Sequence, residues 1–234
     1  AMVCWMDVSA DGEITDYRFE PALIHSHSRL TYNQVWQFLE QGVDLPVGDK
    51  SAPDVIASLL QLDQLYRALD HARQRRGALD FDSREVQVVM DDRGSVEQLA
   101  AVQRNRAHKI IEECMVAANR CAAEWLDELK IPTLHRAHDR PDGEKIIALR
   151  QTLGALQLKL EGDEQPTTHQ ISRLLCSLEG RADGTMIQMM VLRSLKQAVY
   201  TPAVAGHFGM GLEHYTHFTS PIRRYPDLLV HRAL

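Results

Sequence analysis

The chain lacks any apolar run approaching the roughly 18 residues of a membrane span. Its first residues lack the basic stretch followed by an apolar one that marks a secretory signal. Cysteine is scarce, with Cys4, Cys114, Cys121 and Cys176 forming no CxxC pair, and this reads as free thiols in the cytoplasm. Cys114 and Cys121 lie on a helical pattern, where burial rather than metal binding is expected. No GxxxxGK[ST], GxSxG or GxGxxG loop occurs. No confident helix carries HxxxH or HExxH, which argues against a zinc centre. Internal repeats and low-complexity segments are absent as well.

What remains is a globular composition, 44% hydrophobic and 25% charged, in 234 residues. That length suffices for one large domain or two small ones. The net charge of −6 argues mildly against nucleic acid as a partner. Charge is segregated, however. From Arg193 to the end, five basic residues (Arg193, Lys196, Arg223, Arg224, Arg232) face two acidic ones (Glu213, Asp227). A local excess of that sign suits a phosphate-lined partner, and it suits a solvated surface equally.

Met2 to Val8 and Ile14 to Ile24 read as two strands about a turn at Asp11-Gly12. Thr31 caps a helix running to about Glu40, and a loop follows over 42–50. A second helix runs from about Pro53 to Arg76. Leu79 to Met90 is extended and turns back at Asp91-Asp92-Arg93-Gly94 into a strand ending near Val102. Arg104 to Lys130 gives the strongest helical signal. Ala107, Ile111, Cys114, Ala118, Cys121, Trp125 and Leu129 form its apolar stripe, and Pro132 ends it. Thr133 to Arg136 is short and extended. Helices are expected at about Asp142–Leu156 (with Asp142 as cap), Thr168–Leu178 and Asp183–Ala198, with a polar linker over 161–167. Extended pairs and long helices without a regular βαβ alternation point to α+β.

Some residues could carry chemistry. Asn105, His108, Glu112, Met115 and Asn119 stripe a second face of the strongest helix, either as a face read by a polar partner or as a hydrogen-bonded interior seam. Phe81, between Asp80 and Asp82, could stack on a nucleobase or pack inward. Ser220-Pro221 reads as a helix start, whose free N–H groups attract anions. Arg223 could add a bidentate grip on phosphate, with Thr219 and Tyr225 beside it. His207, His214, His217 and His231 crowd the same end. Two-metal phosphodiester chemistry needs several converging carboxylates, and no such cluster occurs.

At this point a resemblance becomes specific. Gly206-His207-Phe208-Gly209, then Tyr215-Thr216-His217-Phe218-Thr219-Ser220-Pro221-Ile222-Arg223-Arg224-Tyr225-Pro226-Asp227 and His231-Arg232, resemble the signature of the RNB family of exoribonucleases, the ribonuclease II and R group. Asn105 to Met115 with Ala118-Asn119 resembles the family's central helix. Ala72 to Phe81 is similar to its ARxxRGALxF segment, and Ser28 to Tyr32 to an earlier one. Arg224 followed by Tyr-Pro-Asp favours the ribonuclease R branch. The resemblance runs over essentially the whole chain, as one partial RNB domain with an incomplete antiparallel sheet and several long helices.

The resemblance implies hydrolytic, processive 3′→5′ degradation of single-stranded RNA to nucleoside 5′-monophosphates with Mg²⁺. It implies that Arg223 meets the scissile phosphate and that Phe81 is one jaw of an aromatic clamp. It further implies that Glu112 contacts a sugar and that Thr219 and Ser220 line the phosphate path. Asn105 and Tyr225 are expected RNA contacts. The family's metal-binding aspartates and second clamp residue are expected upstream of Met2, and a late catalytic glutamate downstream of Leu234. Cold-shock and S1-type domains are expected outside this chain. Residues 1–234 alone are therefore expected to be inactive, with no metal site of their own. The alternative is a non-catalytic RNA-binding or protein-interaction segment. Self-association through exposed sheet edges is expected under either reading.

Overall fold

A computed structural model describes residues 1–48, 52–81, 85–91, 93–102 and 104–234. Lys50, Asp82 and Asp92, from the expected loop, extended segment and turn, lie outside the described residues. The fold is mixed helix and strand, as the α+β expectation required. The described strands form small antiparallel pairs.

β1 (Met2–Val8) and β2 (Ile14–Pro21) form the first pair, with Trp5 opposite Arg18 and Met6 opposite Tyr17. The expected second strand ran on to Ile24. It stops at Pro21 because Met2 is the last paired partner, and the Ala22 N–H then donates to the Ala1 carbonyl. Leu23 and Ile24 beyond it are exposed. Gly12 holds φ +78°, and a Cβ there would lie 2.1 Å from the Ala68 carbonyl oxygen, so the turn can press on the next long helix only as glycine.

α1 (Tyr32–Gln41) begins with a reciprocal capping box between Thr31 and Gln34 and ends at left-handed Gly42. α2 (Ala52–Arg75) carries Tyr66, Leu69 and Ala72 to the interior. β3 (Glu85–Met90) pairs with β4 (Val96–Val102) in the expected hairpin. The Asp91 side chain accepts the Arg93 and Ser95 N–H groups across its turn.

α3 (Arg106–Glu128) is the central element. Its buried residues are mostly small: Ala107, Ala117, Ala118, Cys121, Ala122 and Ala123, with Ile110 and Leu126. The expected stripe is partly displaced, since Ile111 and Leu129 are exposed. The reason is that α3 is covered on more than one side. α1 and α2 pack along it, and β1 with the chain's last segment packs on the Ala118–Ala122–Leu126 face. Short side chains allow those close approaches. Phe19 meets Phe218 edge to face at 5.3 Å and Trp125 at 6.2 Å, sealing this core.

β5 (His135–Ala137) leads to three helices, α4 (Gly143–Ala155), α5 (Thr168–Cys176) and α6 (Gly184–Ser194). These build a separate aliphatic core around Ile146, Leu153, Ile171, Ile187 and Val191. Asp142 stands at the α4 N-cap position but makes no side-chain cap bond, because the Lys196 ammonium holds it at 3.1 Å. α6 ends before the expected Ala198, since residues 199–201 are taken as β6 (Val199–Thr201) by β5. A short 3-10 turn (Phe208–Met210) precedes the closing segment, which ends in α7 (Tyr225–Ala233).

The start of α7 is a correction. Ser220 does not cap it, and Pro221 is not its first residue. The Ser220 carbonyl accepts from the Arg223 and Arg224 N–H groups, closing a separate turn, and helix begins at Tyr225 with Pro226 in its first turn. Asp227 forces this arrangement. Its fully buried carboxylate reaches back to accept the Ser220 N–H at 2.7 Å and an Arg224 N–H at 2.8 Å.

Candidate nucleic-acid interface

Between the end of α2, the first half of α3 and the closing turn lies a cavity of about 290 Å³. Arg73 and Arg76 reach it from α2, Arg104 and Glu112 from the start of α3, and Arg223 and Arg224 from the closing turn. Arg73 and Arg76 lie three apart, so one helical face presents both. The loop after them folds back because the Leu79 N–H donates to the Gly209 carbonyl at 2.8 Å.

Asn119 fixes the far wall. It is buried, its amide oxygen accepts the Phe218 and Thr219 N–H groups at 2.8 and 3.2 Å, and its amide nitrogen donates to the Tyr215 hydroxyl at 3.0 Å. One side chain on α3 thus sets the backbone that carries Arg223. Of the two readings of this helix face, Asn119 takes the interior one.

The arginines divide into two sorts. Arg104 grips Glu112 through Nε, at 2.8 Å to Oε2, and through Nη2, and its Nη1 donates to Asp80 at 2.9 Å. The Glu112 bond raises Arg104 well above the usual guanidinium range. Arg73 bridges Asp80 at 3.2 Å and Glu113 at 3.5 Å. Burial would push Asp80 up, but its bonds to Arg73 and Arg104 together hold it below the usual carboxylate range. Glu113 goes the other way, raised by burial despite Arg73 and Arg76 nearby. Arg224 is tied to Asp227. Arg76 and Arg223 have no carboxylate within ion-pair distance among the described residues.

Of the seven expected RNA-contacting residues the cavity unites three, Glu112, Thr219 and Arg223, and Met115 and Asn119 of the α3 stripe line it too. The Thr219 hydroxyl is buried without a hydrogen-bond partner among the described residues. The other four lie elsewhere. Asn105 caps α3, with its side chain accepting the His108 N–H, and its amide nitrogen donates to Asn33 of α1. Ser220 spends its N–H on Asp227. Tyr225 stands outward, 65% exposed. Phe81 is half-buried against the three-helix core, while its neighbour Asp80 faces the arginines. Arg73, Arg76 and Arg104 were not singled out as site residues. The three-residue spacing of Arg73 and Arg76 is visible in the sequence, but their convergence with Arg223 is not.

The histidines serve the scaffold. His214 and His135 share Asp127, at 2.6 and 3.2 Å, and His231 lies 2.9 Å from the Phe218 carbonyl. His217 lies 2.6 Å from the Tyr200 hydroxyl. Burial, with positive neighbours, lowers both His207 and His217 to about 4, so both are neutral near pH 7. Among the described residues no group of His, Cys, Asp and Glu is placed to hold a metal ion. No described helix is long and apolar enough to cross a membrane.

Residues 1–234 match the RNB domain family from end to end. The chain belongs to the RNB domain family. Ribonuclease R of Escherichia coli (strain K12) is 46% identical over 233 residues, which cover 100% of this chain and 28% of that protein. The structure is similar to Mycoplasma genitalium RNase R in complex with ribose methylated single-stranded RNA, with a TM-score of 0.92 and 33% identity over 100% of this chain and 36% of that one. The same holds for Mycoplasma genitalium RNase R in complex with double-stranded RNA, where the chain covers 41% of the solved structure. This RNB segment thus spans about a third of the length of the relatives it matches. The ribonuclease R expectation from the sequence agrees with all three.

Proposed function

We propose that this chain is part of a hydrolytic 3′→5′ exoribonuclease that acts on single-stranded RNA and releases nucleoside 5′-monophosphates. The observation that carries the reading is the arginine-lined cavity at the RNB signature, which Arg223 lines with no carboxylate within ion-pair distance among the described residues. RNA-bound relatives of 0.92 TM-score support it. In this reading Arg223 meets the phosphate that is cleaved and stabilises the charge that builds on it. Thr219 and Ser220 border the phosphate path, Glu112 faces a ribose, and Asn105 and Tyr225 touch RNA at the periphery. Phe81 stacks on a base from its place at the rim of the three-helix unit.

The divalent cation that the family implies does not fit the described residues lining this cavity. Glu112 and Glu113, the carboxylates lining the cavity, are engaged by Arg104 and Arg73, and arginines surround them. A hard cation needs several free oxygen donors. No hydrolytic step can therefore run through these carboxylates. Residues 1–234 alone bind RNA but do not cleave it, so an RNA-binding role without chemistry is the second reading for the isolated chain. The cysteines are free, which suits a reducing compartment such as the cytoplasm. The outer edges of β1 and β2, unpaired among the described residues, favour self-association, and a monodisperse monomer by light scattering excludes that.

The test is direct. Labelled single-stranded RNA is bound in a salt-dependent manner, and both Arg223→Ala and Phe81→Ala weaken binding. With Mg²⁺, no mononucleotides are released by residues 1–234. Processive release of mononucleotides would sink the inactivity claim, and absence of binding at low salt would sink the RNA reading.

A further inference from the structure

Arg76 is half-buried at the end of α2 and lines the 290 Å³ cavity with Arg223. Its carbonyl is locked from behind. Gly211 holds φ +62°, and a Cβ there would sit 2.9 Å from the Arg76 carbonyl oxygen and 3.4 Å from the Arg76 Cβ. On the other side Gly77 holds φ +67°, with the His169 ring 2.6 Å from where its Cβ would be. His169 Nε2 lies 2.8 Å from the Arg75 carbonyl. The helix end is thus clamped between two glycine contacts, and the guanidinium is delivered to a fixed place.

At that place it has little to bind. Among the described residues its one side-chain hydrogen bond is from Nε to the Met210 carbonyl at 3.5 Å, the outer limit for such a bond. Of the acids whose field reaches it, Glu113 acts most strongly and Glu13 less, and Arg73 already holds the Glu113 carboxylate. Burial pulls Arg76 below the usual guanidinium range. A guanidinium this far out of water without a counter-ion is costly unless an anion supplies one. Arg73, Arg104 and Arg224 have carboxylate partners within the chain, so they have less to offer a ligand.

We propose that Arg76 is a substrate-binding residue that pairs with Arg223 to hold a phosphodiester anion in this cavity. The proposal rests on the RNA reading above and extends it to a second arginine. The two arginines reach the same cavity from two elements, one from a clamped helix end and one from the closing turn. Planar, bidentate donors suit phosphate oxygens.

The experiment uses the full chain in EDTA, which prevents cleavage, with Arg76→Met, Arg76→Lys and the exposed control Arg193→Met. Anisotropy with labelled single-stranded RNA reads affinity against salt, and thermal unfolding is read with and without inorganic phosphate. Arg76→Met is expected to lose about tenfold in affinity at moderate salt and about one unit of salt slope. Arg76→Lys is expected to keep the slope while losing part of the affinity, and Arg193→Met to change neither. Without anion, Arg76→Met is expected to unfold no earlier than the unmodified chain. It is also expected to lose the stabilisation that phosphate gives. Unchanged RNA affinity and slope in Arg76→Met overturn the proposal while leaving the RNA reading intact. So does earlier unfolding of that variant without anion, which would mark Arg76 as structural. If the unmodified chain binds no RNA, the RNA reading fails. The phosphate arm then decides Arg76 by itself, and equal phosphate stabilisation in the variant overturns it.

Discussion

The three-helix unit and the arginine cavity are held together by opposite means. α4, α5 and α6 meet through branched aliphatic side chains that carry no polar atoms, such as Ile146, Leu153, Ile187 and Val191. The cavity is held by polar groups: Asn119 buried under the closing segment, Asp227 buried under its turn, and the more exposed Asp80 between two arginines. The regions meet at residues 79–81, where Leu79 and Phe81 turn to the aliphatic core and Asp80 turns to the arginines. The first kind of interior tolerates change in proportion to volume. The second fails when one partner is lost, because a buried donor left alone bears its full desolvation cost.

The contrast can be broken in either region. Ile187→Ala has the largest expected effect, about 2–5 kcal/mol of lost stability by urea unfolding, since Ile187 is fully buried. RNA affinity well below the melting temperature should hardly move. A large affinity loss there would show that the two regions are not separable. Asn119→Ala follows, at about 2–3 kcal/mol, because it orphans the Phe218 and Thr219 N–H groups. Here RNA affinity should fall with stability, and preserved affinity would mean that Arg223 does not depend on this wall.

Smaller effects sharpen the comparison. His207 and His217 have folded-state values near 4, below the ordinary 6.5. The unfolded chain therefore takes up protons first, and stability is lost as pH falls from about 6.5 towards 4. Each histidine contributes at most about 1.4 kcal/mol per pH unit in that window. His207→Gln should flatten the dependence in thermal melts, and an identical pH profile would contradict the assignment. Smallest of all, Thr219→Val should leave stability within about 1 kcal/mol, because the hydroxyl it removes makes no hydrogen bond among the described residues. A clear loss by urea unfolding would reveal a partner for that oxygen.

Much of the scaffold was legible in residue order. The β1–β2 hairpin, the Thr31 cap, the length of α2 and the extent of α3 follow from alternation, capping and helical spacing. The misreadings have a common origin. Ser220-Pro221 carries the local signal of a helix start, but a buried carboxylate seven residues away outweighs it. Asp142 carries a cap signal, but Lys196 takes the carboxylate. Residues 199–201 follow directly on a stretch that reads as helix to Ala198, until β5 claims them and the helix ends early. In each case a partner outside the local capping or helical pattern offered more than the local bond.

The sequence by itself determined the helix and hairpin positions and the RNB signature, because capping, periodicity and motif spacing act over a few residues. Only the tertiary structure decided which charges are free. Arg73, Arg76, Arg104, Arg223 and Arg224 look alike in the sequence, yet Arg73 and Arg104 pair with carboxylates beyond their own turn and Arg224 with Asp227 three residues on. Arg76 and Arg223 line the cavity with no such partner among the described residues. Charge pairing depends on distances of a few ångströms between segments that can lie on different elements, as Arg73 on α2 and Glu113 on α3 do, and residue order does not encode those distances locally.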